Sequence, residues 1–137
     1  MILGIGTDLV SVARIEHLMS QFKEKFAEKI FTPYEIMRAE KIKISADNFL
    51  PRALFFAKRF AAKESFAKAL GLGIGRGMDF LDIEVRNNEL GKPEIKILNG
   101  KEEFVKKHFN CEKFAIHLSL SDENPLAIAT VIIEKIS

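Results

Sequence analysis

The chain has 137 residues, 47% of them hydrophobic and 29% charged, a size and balance that fit one domain over residues 1–137 and exclude two independent ones. Its single cysteine, Cys111, excludes an internal disulfide and suits a reducing compartment. No apolar run approaches the roughly 18 residues of a membrane span, and the opening MILGIGTDLV reaches Asp8 without a basic leader, so a soluble, cytoplasmic protein without a signal peptide is expected.

The formal net charge of +2 is unevenly spread. Residues 20–69 hold eleven Lys/Arg against six Asp/Glu, while the segments on either side are slightly acidic. A local basic excess favours an anionic partner for the middle of the chain, whether nucleic acid, phosphate-rich ligand or acidic protein, although a solvated helix face also carries such charge.

In chain order, Ile2–Asp8 reads as a short strand ending in a carboxylate, with Gly4 and Gly6 where another backbone or a ligand comes close. Ser11 stands as a cap for a helix whose Val12, Ile15, Leu18, Met19 and Phe22 recur at helical spacing, with Arg14 and Glu16 outward. Phe26 and Phe31 bracket an irregular piece. Thr32-Pro33-Tyr34-Glu35 is then a strong start signal, with a threonine cap, proline at the first helical position and a capping-box glutamate, and predicts a helix through about Lys43. Ser45–Pro51 is a break. A long helix follows from Arg52 to Leu70, stopped by Gly71 and apolar on more than one side. The glycine-rich 71–77 stretch reads as a C-cap and turn. It lacks the phosphate-loop pattern and follows a helix instead of opening one.

Beyond the loop the period changes. Phe80, Ile83 and Val85 predict a strand that turns at Asn87–Gly91 and returns over Pro93–Leu98. A short helix is expected at Lys101–His108, and a second hairpin over Lys113–Ser121 and Ala127–Ile136. The order gives an α+β fold, a mostly antiparallel sheet packed with a long helix. The closing strand is apolar at successive positions, which predicts cover on both of its faces.

Two acids stand out. Asp8, at the expected strand end, suits a hard cation such as magnesium, or caps the next helix. Glu64 lies on a face of the long helix lined by Ala57 and Ala61, with Lys68 one turn later. As an exposed i,i+4 pair Glu64 and Lys68 would contribute about 0.2–0.5 kcal/mol. Beside small alanines they also suit a metal-bound phosphate, the acid holding the ion and the lysine meeting phosphate oxygens. His17, His108, His117 and Cys111 have no zinc-ligand spacing, and no serine stands in a hydrolase context.

Gly4-Ile5-Gly6-Thr7-Asp8, the run Arg59–Ala69 (RFAAKESFAKA), Leu90-Gly91-Lys92-Pro93, and the closing His117–Asp122 with Ala127–Glu134 together closely resemble the holo-[acyl-carrier-protein] synthase family, the short single-unit branch of the 4′-phosphopantetheinyl transferases. The resemblance spans nearly the whole chain. Two positions depart from it: Ser65 stands where alanine is usual, and Asp122 where some branches have histidine. The resemblance implies the family fold, assembled as a homotrimer with sites at subunit boundaries. It also implies magnesium-dependent transfer of 4′-phosphopantetheine from coenzyme A to a serine of apo acyl carrier protein, releasing adenosine 3′,5′-bisphosphate, for fatty acid biosynthesis. By resemblance Asp8 and Glu64 are the metal ligands and, with Lys68, the catalytic set, while Arg59, Lys68, Gly91, Lys92 and Pro93 hold coenzyme A. The carrier is expected on the first helix, at Arg14, Leu18, Phe22 and Phe26 with Lys23 or Lys25. Neither nucleic acid nor membrane is an expected partner.

The residues alone leave other readings open. A magnesium-dependent phosphohydrolase or nucleotidyl transferase would use the same acids and lysine without an acidic protein substrate. A basic nucleic-acid module would use residues 20–69 and leave Asp8 and Glu64 idle, and no nucleic-acid motif matches there.

Overall fold

The computed structural model describes residues 1–45 and 48–137, and of Lys23 only the backbone. Its elements are β1 (Ile2–Ser11), α1 (Val12–Ile30), α2 (Pro33–Glu40), α3 (Leu50–Ala69), β2 (Ile83–Asn87), β3 (Pro93–Ile97), α4 (Lys101–Phe109), β4 (Phe114–Glu123) and β5 (Leu126–Lys135). The strands form an antiparallel sheet in the order β1-β5-β4 and a separate β2-β3 hairpin, giving the expected α+β architecture. No helix among the described residues is long and apolar enough to cross a membrane.

The inner face of the larger sheet carries buried Val10, Ala127, Ala129, Val131 and Ile133. Against it lies α3, whose Ala57, Ala61, Ala62, Phe66 and Ala69 are buried. Small residues on both sides let helix and strands approach closely. Gly4 and Gly6 take this furthest: a Cβ at Gly4 would collide with the Ala69 carbonyl oxygen, and one at Gly6 with that of Ser65. Because strand side chains alternate, Asp8 shares the α3-facing side with both glycines.

A buried ion pair ties α1, α2 and β2 to α3. Lys63, fully buried, donates from Nζ to Glu35 Oε1 at 2.6 Å, to the Ile30 carbonyl at 2.7 Å and to the Phe80 carbonyl at 3.1 Å. Glu35 completes the capping box at Thr32 and accepts from the Val85 backbone at 2.8 Å, so one carboxylate serves α2, α3 and β2. Burial pulls the Lys63 amine below the ordinary lysine range, and Glu35 opposes that shift.

Several boundaries differ from the sequence reading. Asp8 does not end its strand, because β1 stays paired with β5 through Ser11, where Ser11 lies opposite Leu126. Ser11 is the residue before α1, but its side chain makes no capping bond. Helix α1 continues to Ile30, since Phe26 buries against Phe31 and carries the helix through the stretch read as irregular. Helix α2 ends at Glu40 instead of near Lys43, where Arg52 reaches back to the carbonyls of Ala39, Glu40 and Ile42. Of the Ser45–Pro51 break, Ala46 and Asp47 lie outside the described residues, and Leu50 and Pro51 already belong to α3. Phe80 lies in a single 3₁₀ turn that precedes β2.

The closing strand also departs from expectation. Its alternate residues are buried, but Leu126 and Ile128 remain 41% and 39% exposed, so within one chain β5 is covered on one face only. Beside them on β1 stand Leu9, which pairs with Ile128, and Ile5, both largely exposed.

Candidate active site

The strand–helix contact made possible by Gly4 and Gly6 delivers Asp8 to α3. Lys68 Nζ donates to Asp8 Oδ1 at 3.0 Å and to the Thr7 carbonyl at 3.0 Å. Lys68 is therefore the partner of Asp8 instead of closing the i,i+4 pair with Glu64 that helix spacing suggested. The Asp8 side chain is 17% exposed and that of Lys68 51%, so the pair lies at the rim of the sheet and within reach of a ligand.

Glu64, half-buried, lies one turn before Lys68 on the same helix. Burial pushes its carboxyl above the ordinary range and the neighbouring charge of Asp8 pushes it further, while Lys68 and Arg14 oppose the shift. Asp8, Glu64, Lys68 and Arg14 thus form one charged cluster at the junction of β1, α1 and α3. Both acids belong to the same chain. Arg14, exposed on α1, leans its guanidinium over the Phe60 ring at 5.8 Å.

Ser65, set between the two acidic positions and the lysine, is fully buried and donates to the Ala129 carbonyl at 3.0 Å. Thr7 donates to the same carbonyl, and Ala129 pairs with Asp8 across the sheet. Ser65 is thus a tether between α3 and β5 beside the acids.

A groove of about 790 Å³ opens between α2, the first half of α3 and the β2-β3 turn. It is lined by Tyr34, Arg38, Lys41, Lys58 and Arg59, and by Asn87, Gly91 and Pro93 of the hairpin. Arg59 is buried, its guanidinium 3.6 Å from the Phe55 ring centre, and it donates to Asn87 Oδ1 at 2.9 Å. Asn87 in turn donates to the Gly91 carbonyl at 2.9 Å, which ties the arginine to the turn. Burial brings Arg59 down to about 10, and its buried Nε has no hydrogen-bond partner among the described residues. Arg59, Gly91 and Pro93 are thereby brought together as expected of a nucleotide-holding set. Lys92 is not: it is exposed and lines a different hollow, with Arg86 and Glu94.

Of the residues expected to meet a carrier, Arg14 is exposed and Phe22 is half exposed. Leu18 is partly buried against the core. Phe26 is buried in that core, so its expected partner contact does not stand. Lys25 is exposed, and the Lys23 side chain lies outside the described residues.

The sequence reading missed Glu35, Lys63, Lys58 and Asn87. A signal existed for Glu35 and Lys63: the capping-box position of the one, and the place of the other on a helix face beside Phe56 and Phe60.

A family profile described as the 4′-phosphopantetheinyl transferase superfamily matches residues 4–131. A holo-[acyl-carrier-protein] synthase of Ehrlichia chaffeensis is 44% identical over 133 residues, 97% of each chain. A Neisseria meningitidis holo-[acyl-carrier-protein] synthase structure superposes with a TM-score of 0.85 at 37% identity, over 98% of this chain and 100% of that one. A Bacillus anthracis enzyme of the same name, solved in complex with CoA (3′,5′-ADP), gives 0.79 at 38% identity over 99% of both chains.

Proposed function

The chain belongs to the 4′-phosphopantetheinyl transferase superfamily, and from its site we propose that it transfers the 4′-phosphopantetheine of coenzyme A to a serine of apo acyl carrier protein, in the cytoplasm and for fatty acid biosynthesis. The observation that carries this reading is the convergence of Asp8, Glu64 and Lys68 from β1 and α3, in a chain that also holds a basic groove. Enzymes similar over nearly the full length of this chain carry the holo-[acyl-carrier-protein] synthase name, and one was solved in complex with CoA (3′,5′-ADP). These matches favour the transferase over a phosphohydrolase or a nucleic-acid module.

In the reaction, the serine oxygen bonds to the phosphorus bearing the pantetheine arm, and the bond to the oxygen kept by adenosine 3′,5′-bisphosphate breaks. Such a transfer needs positioning and charge neutralisation more than covalent help. Asp8 and Glu64 fit a magnesium ion by their chemistry: two hard carboxylates, Glu64 raised first by burial and then by the charge of Asp8, a repulsion that a cation would relieve. No group of three or more ligating side chains stands among the described residues, so waters and phosphate oxygens would have to complete the shell of such an ion. When bound, magnesium supplies positive charge at the pyrophosphate. Lys68, already held at Asp8, would meet phosphate oxygens, and Arg14 stands across the cluster. Arg38, Lys41, Lys58 and Arg59, with Gly91 and Pro93, would hold the nucleotide end.

The acidic carrier would approach α1, where Arg14 and Lys25 are exposed and Phe22 offers an apolar contact. The active unit is read as a homotrimer. Its support is the open outer sheet face, with Ile5, Leu9, Leu126 and Ile128 exposed on adjacent strands, a patch that a soluble chain covers with another subunit. The test is to incubate the protein with coenzyme A, magnesium and apo carrier proteins, then weigh the carrier and assay the nucleotide. A carrier heavier by one phosphopantetheine, with an equal amount of adenosine 3′,5′-bisphosphate, is expected. Nucleotide release without carrier modification would support the phosphohydrolase instead.

A further inference from the structure

Along β4 the residues facing α3 are apolar, Ile116, Leu118 and Leu120, until Asp122. This carboxylate takes the next inward position, and Lys58 Nζ lies 3.1 Å from its Oδ1, with both side chains about one-third exposed. Lys58 lines the basic groove and Asp122 does not. Asp122 instead borders a neighbouring hollow with Leu9, Ser121 and Ile128. One of the four cations lining the groove is therefore neutralised from outside it.

We propose that Asp122 is a charge latch on Lys58, a positioning residue that sets how tightly the groove holds an anionic nucleotide. The inference rests on the reading of the groove as the nucleotide seat. In the free protein Asp122 draws Lys58 toward β4. A bound phosphate must compete with that carboxylate for the ammonium, so Asp122 weakens nucleotide binding and speeds release of the bisphosphate product. A partly exposed ion pair is weak enough to exchange partners, which a buried pair such as Lys63–Glu35 is not.

The experiment is calorimetric titration of adenosine 3′,5′-bisphosphate into the full-length protein at low salt, comparing wild type with Asp122→Asn, Lys58→Met, the double variant and Arg38→Ala. Asp122→Ser serves as a second latch variant should Asp122→Asn fold poorly. Removing the latch should tighten binding about two- to fivefold, the range an exposed ion pair supplies, and lower the coenzyme A KM more than it changes kcat. Lys58→Met should weaken binding, and in that background Asp122→Asn should have no effect. Unchanged or weaker binding in Asp122→Asn, or the same tightening without Lys58, would overturn the latch. If Arg38→Ala leaves the affinity unchanged, the groove is not the nucleotide seat, and the latch falls with that reading for a distinguishable reason.

Discussion

At Asp8 a carboxylate does three things at once: it continues a paired strand, holds Lys68 and raises Glu64. Burial is the larger cause of the Glu64 shift and Asp8 the second, so Asp8→Asn should bring Glu64 part of the way back toward the ordinary carboxyl range. Carbon-detected NMR titration of the Glu64 side chain reads this directly, and an unchanged midpoint would mean the acids do not feel one another. The sign for metal binding follows: protons compete with a cation at Glu64, so magnesium affinity should fall as pH drops through a midpoint higher than that of a free glutamate. Lys63 and Glu35 present the opposite case, a buried pair with every polar atom engaged. Lys63→Met leaves Glu35 charged and without its partner, and should cost about 3–5 kcal/mol in urea unfolding. Asp8 and Glu64 stood out in the sequence as an acid closing an apolar strand and an acid on an alanine-lined helix face, and the structure brings the two within one charged cluster. Glu35 and Lys63 each carried a local mark, a capping-box position and a lysine on an apolar helix face, but local pattern does not carry the long-range contact by which they meet.

At the scale of elements, the site depends on how near β1 lies to α3. Gly4 and Gly6 set that distance against the carbonyls of Ala69 and Ser65. A Gly6→Ala protein must push the strand away, at about 1–3 kcal/mol or more, and should lose transferase activity out of proportion to its stability because Asp8 moves with β1. Thermal melts and steady-state rates measured together test this, and activity that falls only as far as the folded fraction would contradict it. The glycines were read correctly as a place of close approach. The end of the strand was misplaced, since Leu9, Val10 and Ser11 stay in the ladder through pairing with Leu126, Ala127 and Ile128, a long-range contact that local pattern does not carry. Likewise α1 outruns its predicted end because Phe26 has Phe31 to pack on.

For the whole molecule, one sheet face is closed by α3 and the other presents Ile5, Leu9, Leu126 and Ile128 to solvent. The successive apolar residues of the closing strand predicted two covered faces, and a single chain covers one. The trimer reading accounts for the second. Light scattering of the active protein should give three times 15.5 kDa, and Leu9→Asp should shift it toward the monomer with loss of activity. An active wild-type monomer would end that reading while leaving the chemistry of Asp8, Glu64 and Lys68 intact.

That chemistry is the central claim, and intact-mass spectrometry of the carrier tests it most directly. With coenzyme A and magnesium, wild-type protein should convert apo carrier to a species heavier by one phosphopantetheine. Asp8→Ala and Glu64→Ala proteins, folded by circular dichroism, should leave it nearly all unmodified. Full conversion by either variant would contradict the claim that these two acids form the site.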